Sequence, residues 1–340
     1  MIRVYVEPSG ESAELAAAEI AAAAEALGGG AADREVPVPE GLALVLLPDR
    51  AAALALASRL ALARRCLVRL GTETEGLVAM RAAGAEGGTG AVRRVGRPSG
   101  SRGDATVQAA GAAFVAGGGR IDLEHAGRRF WVRGDPESPE YFEEIAPVDR
   151  EAVEHRRMPT LPFQRPVALA PRLARASANL ARIRPGDRVV DPFLGTGALL
   201  AEAGLLGASL VGIDRDAEMV RGAVRNLRHF GLEAEALVVG DSGEVTLPEA
   251  GRPFDALLTD PPYGRASGTG GEAAQRVVER VIPRWAELVR PGGRVVLVLP
   301  GGYEPLDAPW VVRRRIPVRV HRSLTREFRV YERATDAAEI

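Results

Sequence analysis

The stretch Thr259-Asp260-Pro261-Pro262-Tyr263-Gly264 sets two prolines between an acid and an aromatic ring, directly after the apolar run Phe254 to Leu258. Proline cannot donate to a sheet ladder, so a strand must end here. A carboxylate and a ring are thereby held on a stiff turn at a strand's end. Upstream, Asp191-Pro192-Phe193-Leu194-Gly195-Thr196-Gly197 joins a second acid to a Gly-x-Gly turn that opens a helix. Glycines let the backbone approach a ligand closely, and free N–H groups at a helix start can bind polar groups. Asp214 ends the next strand, where an acid can hold both hydroxyls of a ribose, and Asp241, beside Ser242, ends a third. Each acid alone is more often a turn or cap residue. Acids at successive strand ends read together as one crevice, because ligands of parallel α/β sheets sit beyond the strands' carboxyl ends.

The elements that must position these residues follow from the pattern around them. A helix over Val167 to Arg182 leads into strands at Arg188 to Val190, Leu210 to Ile213, Ala236 to Val239, Phe254 to Leu258 and Arg294 to Leu299, with helices between. Strands alternating with helices imply a parallel sheet covered on both faces. The end, from Trp310 to Arg333, holds two β-rich runs with no helix between them, which predicts an antiparallel pair closing the sheet edge, and residues 335–340 read as a frayed tail.

The first half reads differently. A strand at residues 2–6, a helix over 11–27 ended by Gly28-Gly29-Gly30, a strand at Leu42 to Leu47, a helix over 49–63 and a strand at Cys66 to Leu70 make a small α/β unit. Residues 84–103, Gly-rich with four arginines, read as a mobile loop. A helix near Thr106 to Ala116 and a strand at Arg128 to Arg133 follow, then a turn-forming stretch over 133–144. Residues 147–166, with four prolines, read as an extended connector between domains.

Composition bounds the function. A chain of 340 residues suggests about two domains. One cysteine, Cys66, excludes an internal disulfide and a cysteine-based zinc cluster, and four scattered histidines show no metal-ligand spacing. No apolar run reaches a membrane span, and the N-terminus lacks a signal peptide's pattern; a reducing, cytoplasmic setting fits. Net charge is −1, which argues against a uniformly basic nucleic-acid binder. Its distribution is uneven: residues 51–100 and 151–190 each carry eight Arg against three acids, while residues 1–50 carry three Arg against nine acids. Local basic stretches on a neutral protein suit a phosphate-tracking surface or simply solvated faces.

The stretch from Asp191 to Gly197 resembles motif I of S-adenosylmethionine methyltransferases, and Asp260 to Tyr263 resembles the Asp/Asn-Pro-Pro-aromatic signature of amino-group methyltransferases. The three-glycine pyrophosphate fingerprint of a dinucleotide fold is missing, since Leu200 stands where its last small residue would be. Together with residues 156–181 and 321–332, these motifs resemble the archaeal-type tRNA guanine-N2 methyltransferases that modify guanosine at position ten. The resemblance is strong over 147–332, fair over 1–30 and 105–146 and poor over 71–104. It departs at Leu194 and Ala198, where the family carries Cys and Gly.

The resemblance implies a Rossmann-like seven-stranded methyltransferase sheet, mostly parallel with an antiparallel C-terminal hairpin, over 167–334. An α+β region of ferredoxin-like and THUMP RNA-binding type over 1–146 would precede it, with a linker at 147–166. It implies S-adenosyl-L-methionine as cofactor, held by Asp191, Pro192, Phe193, Gly195, Thr196, Gly197, Asp214, Arg215, Asp241 and Ser242. It implies tRNA as partner, with no membrane and no metal. The oligomeric state is not readable, a monomer being slightly favoured. Catalysis falls to Asp260, Pro261, Pro262 and Tyr263. An exocyclic amine on a base is a poor nucleophile because its lone pair is delocalised. The Asp260 carboxylate and the Pro261 carbonyl would accept its N–H bonds and free the lone pair, while Tyr263 stacks on the flipped base. Arg64, Arg65, Arg93, Arg94, Arg97, Arg128 and Arg129 are candidate phosphate contacts, and Arg165 either lines the cofactor pocket or pins the linker. Two alternatives stand beside mono- or dimethylation of guanine N2. One is an amino-methyltransferase acting on DNA adenine or protein glutamine; the other is an RNA-binding protein with an inactive catalytic domain.

Overall fold

The computed structural model describes residues 1–10, 12–31, 41–95, 104–135, 137–156, 160–165, 168–246, 252–262, 274–300, 306–321 and 324–335. Tyr263, Arg97 and the 96–103 part of the Gly/Arg-rich segment lie outside the described residues. The chain begins β1 (Ile2–Pro8), α1 (Ala13–Ala26), β2 (Gly30–Ala31), β3 (Ala43–Leu47), α2 (Arg50–Arg59), β4 (Ala63–Thr72), α3 (Glu73–Ala85) and β5 (Thr89–Arg94). It continues α4 (Ala105–Gly117), β6 (Arg120–Ile121), β7 (Arg128–Arg133), β8 (Glu140–Pro147), α5 (Arg150–Glu154) and α6 (Pro171–Leu180). The remainder is β9 (Arg188–Asp191), α7 (Ala198–Gly204), β10 (Ser209–Asp214), α8 (Ala217–His229), β11 (Ala236–Val239), β12 (Phe254–Thr259), α9 (Ala274–Ala286), β13 (Val289–Pro300), β14 (Trp310–His321) and β15 (Leu324–Arg333). Among the described residues no helix is long and apolar enough to cross a membrane.

Two compact units interleave along the sequence. The first is Met1–Pro8, Gly29–Ser58 and Ala63–Val148; the second is Ser9–Gly28, Arg59–Leu62 and Asp149–Ile340.

The first unit is α+β, with an eight-stranded sheet ordered β2-β3-β1-β4-β8-β7-β5-β6. Here the structure corrects the reading of residues 84–103 as a mobile loop. Thr89–Arg94 is strand β5, parallel to β7, and α3 runs to Ala85. The glycines serve close packing. A Cβ on Gly84 would lie 2.0 Å from the Phe114 carbonyl oxygen, one on Gly117 would lie 2.1 Å from the Arg81 carbonyl oxygen, and one on Gly90 would lie 2.7 Å from the Phe114 ring. Helices α3 and α4 thus approach backbone to backbone around a fully buried Phe114, which packs with Met80, Phe130 and Val132. The stretch read as turn-forming over 133–144 also ends in strand, since β8 begins at Glu140 and pairs with both β4 and β7.

The second unit carries a seven-stranded sheet ordered β11-β10-β9-β12-β13-β15-β14. Strands β9 to β13 pair in parallel, and β15 joins β13 and β14 antiparallel, as the Rossmann-like reading with a closing hairpin expects. Central strands covered on both faces must be apolar throughout, and β9 and most of β12 and β13 are buried. One face packs Ala256, Leu258, Val296 and Val298 with α6 and α7. The other packs Leu257, Val295 and Leu297 with Val278, Ile282 and Trp285 of α9. The order reverses direction between β9 and β12, which places a crevice at the carboxyl ends of both strands.

Helix α1 belongs to this second unit, where its alanines Ala16 and Ala22 pack in one core with Ala174, Ala176 and Ala178 of α6. Small side chains on both helices allow a close approach. A polar knot fixes it. Glu19, fully buried, accepts from the Ala61 and Leu62 N–H groups at 2.9 and 2.8 Å and from Asn179 Nδ2 at 2.8 Å. Arg59 Nε donates to Asn179 Oδ1 at 2.8 Å, and Arg59 Nη2 donates to the Ile183 carbonyl at 2.9 Å. Burial pushes the Glu19 carboxyl up, against the pull of Asn179, the two N–H groups and Arg175. The connector expected to be extended over 147–166 contains the short helix α5, capped by Asp149.

Candidate active site

Four strands end in acids at one edge of the second sheet. Asp191 closes β9, Asp214 closes β10, Asp241 follows β11 and Asp260 follows β12. Local hydrogen bonds bind them into a single array. Asp191, 2% exposed, accepts from the Phe193 N–H at 3.0 Å and from Thr259 Oγ1 at 2.6 Å, both at Oδ1. Asp214 Oδ2 accepts from the Gly195 N–H at 2.8 Å and its Oδ1 from the Asp216 N–H at 2.9 Å. The Gly240 N–H donates to the Asp214 carbonyl at 2.9 Å, which draws the Asp241 turn beside it.

The glycine turn therefore differs from its sequence reading in one respect. The Gly195 N–H is committed to Asp214 rather than left for a ligand. Gly195 (φ +51°) and Gly197 (φ +80°) occupy the left-handed region. A Cβ on Gly197 would also press on Ala223 at 3.1 Å. Both glycines are required by backbone conformation, and at Gly197 by packing against α8 as well.

The electrostatics are uneven. Burial pushes the Asp191 carboxyl up to about 7, with Asp214 and Asp260 adding to the rise and Thr259 and the Phe193 N–H opposing it. Burial also raises Asp214, against the two N–H groups it accepts from. Asp241 is lowered, first by Arg280, whose Nη1 and Nη2 each lie 3.3 Å from a carboxylate oxygen, then by the Gly243 N–H. Asp260 Oδ2 pairs with Arg326 Nη1 at 3.1 Å.

The remaining expected residues fall around this array. Pro192, Thr196 and Ser242 are buried, Phe193 is half-buried and Arg215 is exposed. The Ser242 carbonyl accepts from the Trp285 indole at 2.7 Å, which ties α9 to the third acid's turn. Pro261 is buried and Pro262 half-buried. Several contributors carried no sequence signal of their own role. Thr259 couples the proline turn to Asp191. Asn226 donates to the carbonyls of Phe163 and Thr196, at 3.0 Å each, and its Oδ1 accepts from the Phe163 N–H at 3.0 Å. The Phe163 ring fills the space over Gly222, where a Cβ would meet it at 2.0 Å. Arg165 pairs with Glu218 at 2.6 Å and lies 5.0 Å from the Phe163 ring centre, so it fastens the connector to α8.

The arginines of the first unit divide by engagement. Arg65 pairs with Glu7 at 2.9 Å and stacks on Trp131, with burial lowering its guanidinium. Arg94 is paired with Asp104 and Thr106. Arg128 bridges Glu143 and Glu86. Arg64, Arg93 and Arg129 are exposed, with Arg64 pairing with Glu7 at 3.5 Å and Arg93 donating to the Leu123 carbonyl at 2.7 Å.

Residues 160–326 match the family model described as an RMKL-like methyltransferase domain. The tRNA (guanine(10)-N2)-dimethyltransferase of Methanothermobacter thermautotrophicus is 36% identical over 192 residues, 56% of this chain and 56% of its own. The tRNA (guanine(10)-N2)-dimethyltransferase of Pyrococcus abyssi is 37% identical over 183 residues, 53% of this chain and 54% of its own. The chain spans about half the length of these curated relatives. The crystal structure of TrmN from Thermus thermophilus aligns with 97% of this chain and 99% of its own at 23% identity, with a TM-score of 0.49. The family match and the curated relatives agree with the resemblance read from the motifs: residues 160–326 are similar to a methyltransferase domain.

Proposed function

We propose that this protein transfers a methyl group from S-adenosylmethionine to the exocyclic N2 of a guanosine in tRNA, at position ten as the names of its relatives indicate. The observation that carries the reading is the Thr259 hydroxyl donating to Asp191 at 2.6 Å. It joins the glycine-turn side of the crevice directly to the Asp-Pro-Pro turn.

The residues fit that cofactor. Asp214 uses one lone pair on each oxygen for backbone N–H groups, which leaves capacity for two ribose hydroxyls. Asp191, buried among acids and raised to about 7, gains most from a cationic neighbour. Asp241, whose two oxygens each face Arg280 at 3.3 Å, is assigned the adenine amino group. When bound, S-adenosylmethionine supplies a methyl group on a sulfonium that is its own leaving group, so the protein's work is positioning. Asp260 and the Pro261 carbonyl accept the N2 hydrogens and hold the lone pair toward the methyl carbon. One N2 proton would be lost to Asp260 or to solvent. Tyr263, by the motif resemblance, supplies the stacking face.

The first unit is assigned the ferredoxin-like and THUMP RNA-binding role, with Arg64, Arg93 and Arg129 as phosphate contacts because they are exposed. Residues 1–146 take the RNA-binding role apart from 9–28 and 59–62, which fold with the second unit, with a linker over 147–166 and the methyltransferase domain over 167–334. The single, buried Cys66 suits a reducing, cytoplasmic setting. The test is incubation of the purified protein with methyl-labelled S-adenosylmethionine and unmodified tRNA, followed by digestion to nucleosides. N2-methylguanosine or its dimethyl form is expected. Label in another nucleoside would overturn the substrate, and label in DNA or protein alone would move the reading to those amines.

A further inference from the structure

Arg326 reaches Asp260 from far along the sheet. Asp260 follows β12 and Arg326 lies on β15, with β13 between them. Thr259 sits opposite Leu297 of β13, and Arg326 opposite Pro300, the last residue of that strand. Neighbouring strands are about 4.8 Å apart, so the charge must cross roughly 10 Å to reach the second strand over. An arginine passing the end of β13 can span this, and the ion pair closes at 3.1 Å. Both side chains are mostly withdrawn from water, at 12% and 17% exposure, so solvent screens the pair weakly.

The sheet face agrees. Along β15, Arg326 alternates in phase with Phe328 and Val330, which pack in the same core as Ala256 and Leu258 of β12. Two residues past Leu258, Asp260 is in that same phase. The stem of Arg326 therefore lies along the α6 and α7 face of the sheet and turns over its edge into the crevice. It brings a cation to an edge where Asp214 and Asp260 add to the cost of ionising buried Asp191.

We propose that Arg326 is a positioning residue for the methyl acceptor. It fixes the rotation of the Asp260 carboxylate, so that Asp260 presents a fixed acceptor to the exocyclic amine. The inference rests on the methyltransferase reading above. A carboxylate committed to a guanidinium is a weak proton acceptor, so Asp260 orients the amine more than it deprotonates it.

The test measures kcat, the KM for tRNA and the affinity for S-adenosylmethionine in the full-length wild type, Arg326→Ala and Arg326→Lys. For Arg326→Ala we expect kcat to fall about a hundredfold, the scale of a 1 Å misplacement, with cofactor affinity within about threefold. Arg326→Lys should recover at least about tenfold of that loss, because an ammonium restores the charge but not the forked geometry. Unchanged kcat in Arg326→Ala would overturn the proposal. Cofactor affinity falling in step with kcat would also overturn it, as would a lysine variant no better than alanine while both bind cofactor normally. A wild type that binds cofactor and methylates no amine would defeat the underlying reading, and the proposal with it.

Discussion

Glu19 and Asp191 are carboxylates of the same unit, 0% and 2% exposed, and both are pushed up by burial. Their surroundings differ in kind. Glu19 has donors on both oxygens: two backbone N–H groups and the Asn179 amide, with Arg59 closing the ring around that amide. Asp191 takes both of its hydrogen bonds on one oxygen and faces two further acids. The first carboxylate is satisfied by its own chain and holds α1 and residues 59–62 against α6. The second is arranged at a cost that a cationic ligand would relieve. A buried acid surrounded by donors is architecture; acids gathered at strand ends around a buried one carry the proposed binding role.

The comparison can be broken at Glu19 first, where the largest effect on folding is expected. Glu19→Ala leaves two backbone N–H groups and an amide N–H buried without their acceptor, at about 3–5 kcal/mol. Chemical denaturation should show that loss, with Glu19→Gln losing clearly less. A change below about 1 kcal/mol would mean the knot does not hold the unit together.

Asp191 predicts a different signature. Its unfolded carboxyl titrates near 3.8 and its folded carboxyl near 7. Between these values the folded state binds more protons, so ligand-free stability falls as pH rises through the window, by at most about 4 kcal/mol. Above about 7 the penalty is complete. Asp191→Asn should flatten that dependence and weaken cofactor binding. Cofactor binding to the wild type near pH 7 should release a proton, read by calorimetry in buffers of different ionisation enthalpy. A pH-independent melting temperature between 4 and 7 would contradict the assignment.

The smallest effects belong to the exposed arginines of the first unit. Arg64→Ala and Arg129→Ala should change stability by no more than about 0.5 kcal/mol. Each should reduce the salt dependence of tRNA binding by about one unit of slope. Unaltered binding in both would remove this surface from the account.

Much of the crevice was legible because its signals are local. Apolar runs ending in an acid, a Gly-x-Gly turn and a Pro-Pro turn mark strand ends whatever the rest of the chain does. What was not legible depends on contacts distant in sequence. Glu19 looks like one of several helix-surface acids until Asn179 and residues 61–62 arrive to bury it. Arg326 lies in a β-rich run of alternating charge, and nothing local points it at Asp260. Residues 84–95 read as a flexible loop because glycine signals freedom in a single sequence, whereas Gly84 and Gly90 are demanded by Phe114 far ahead in the chain.

The most direct test of the central claim is Asp260→Ala, compared with wild type for cofactor affinity and for single-turnover methyl transfer to unmodified tRNA. The account predicts affinity for S-adenosylmethionine within a few-fold, because Asp191 and Asp214 are intact, and no detectable transfer to guanine N2. A variant that binds cofactor and keeps most of its transfer rate would contradict the role given to the strand end after β12.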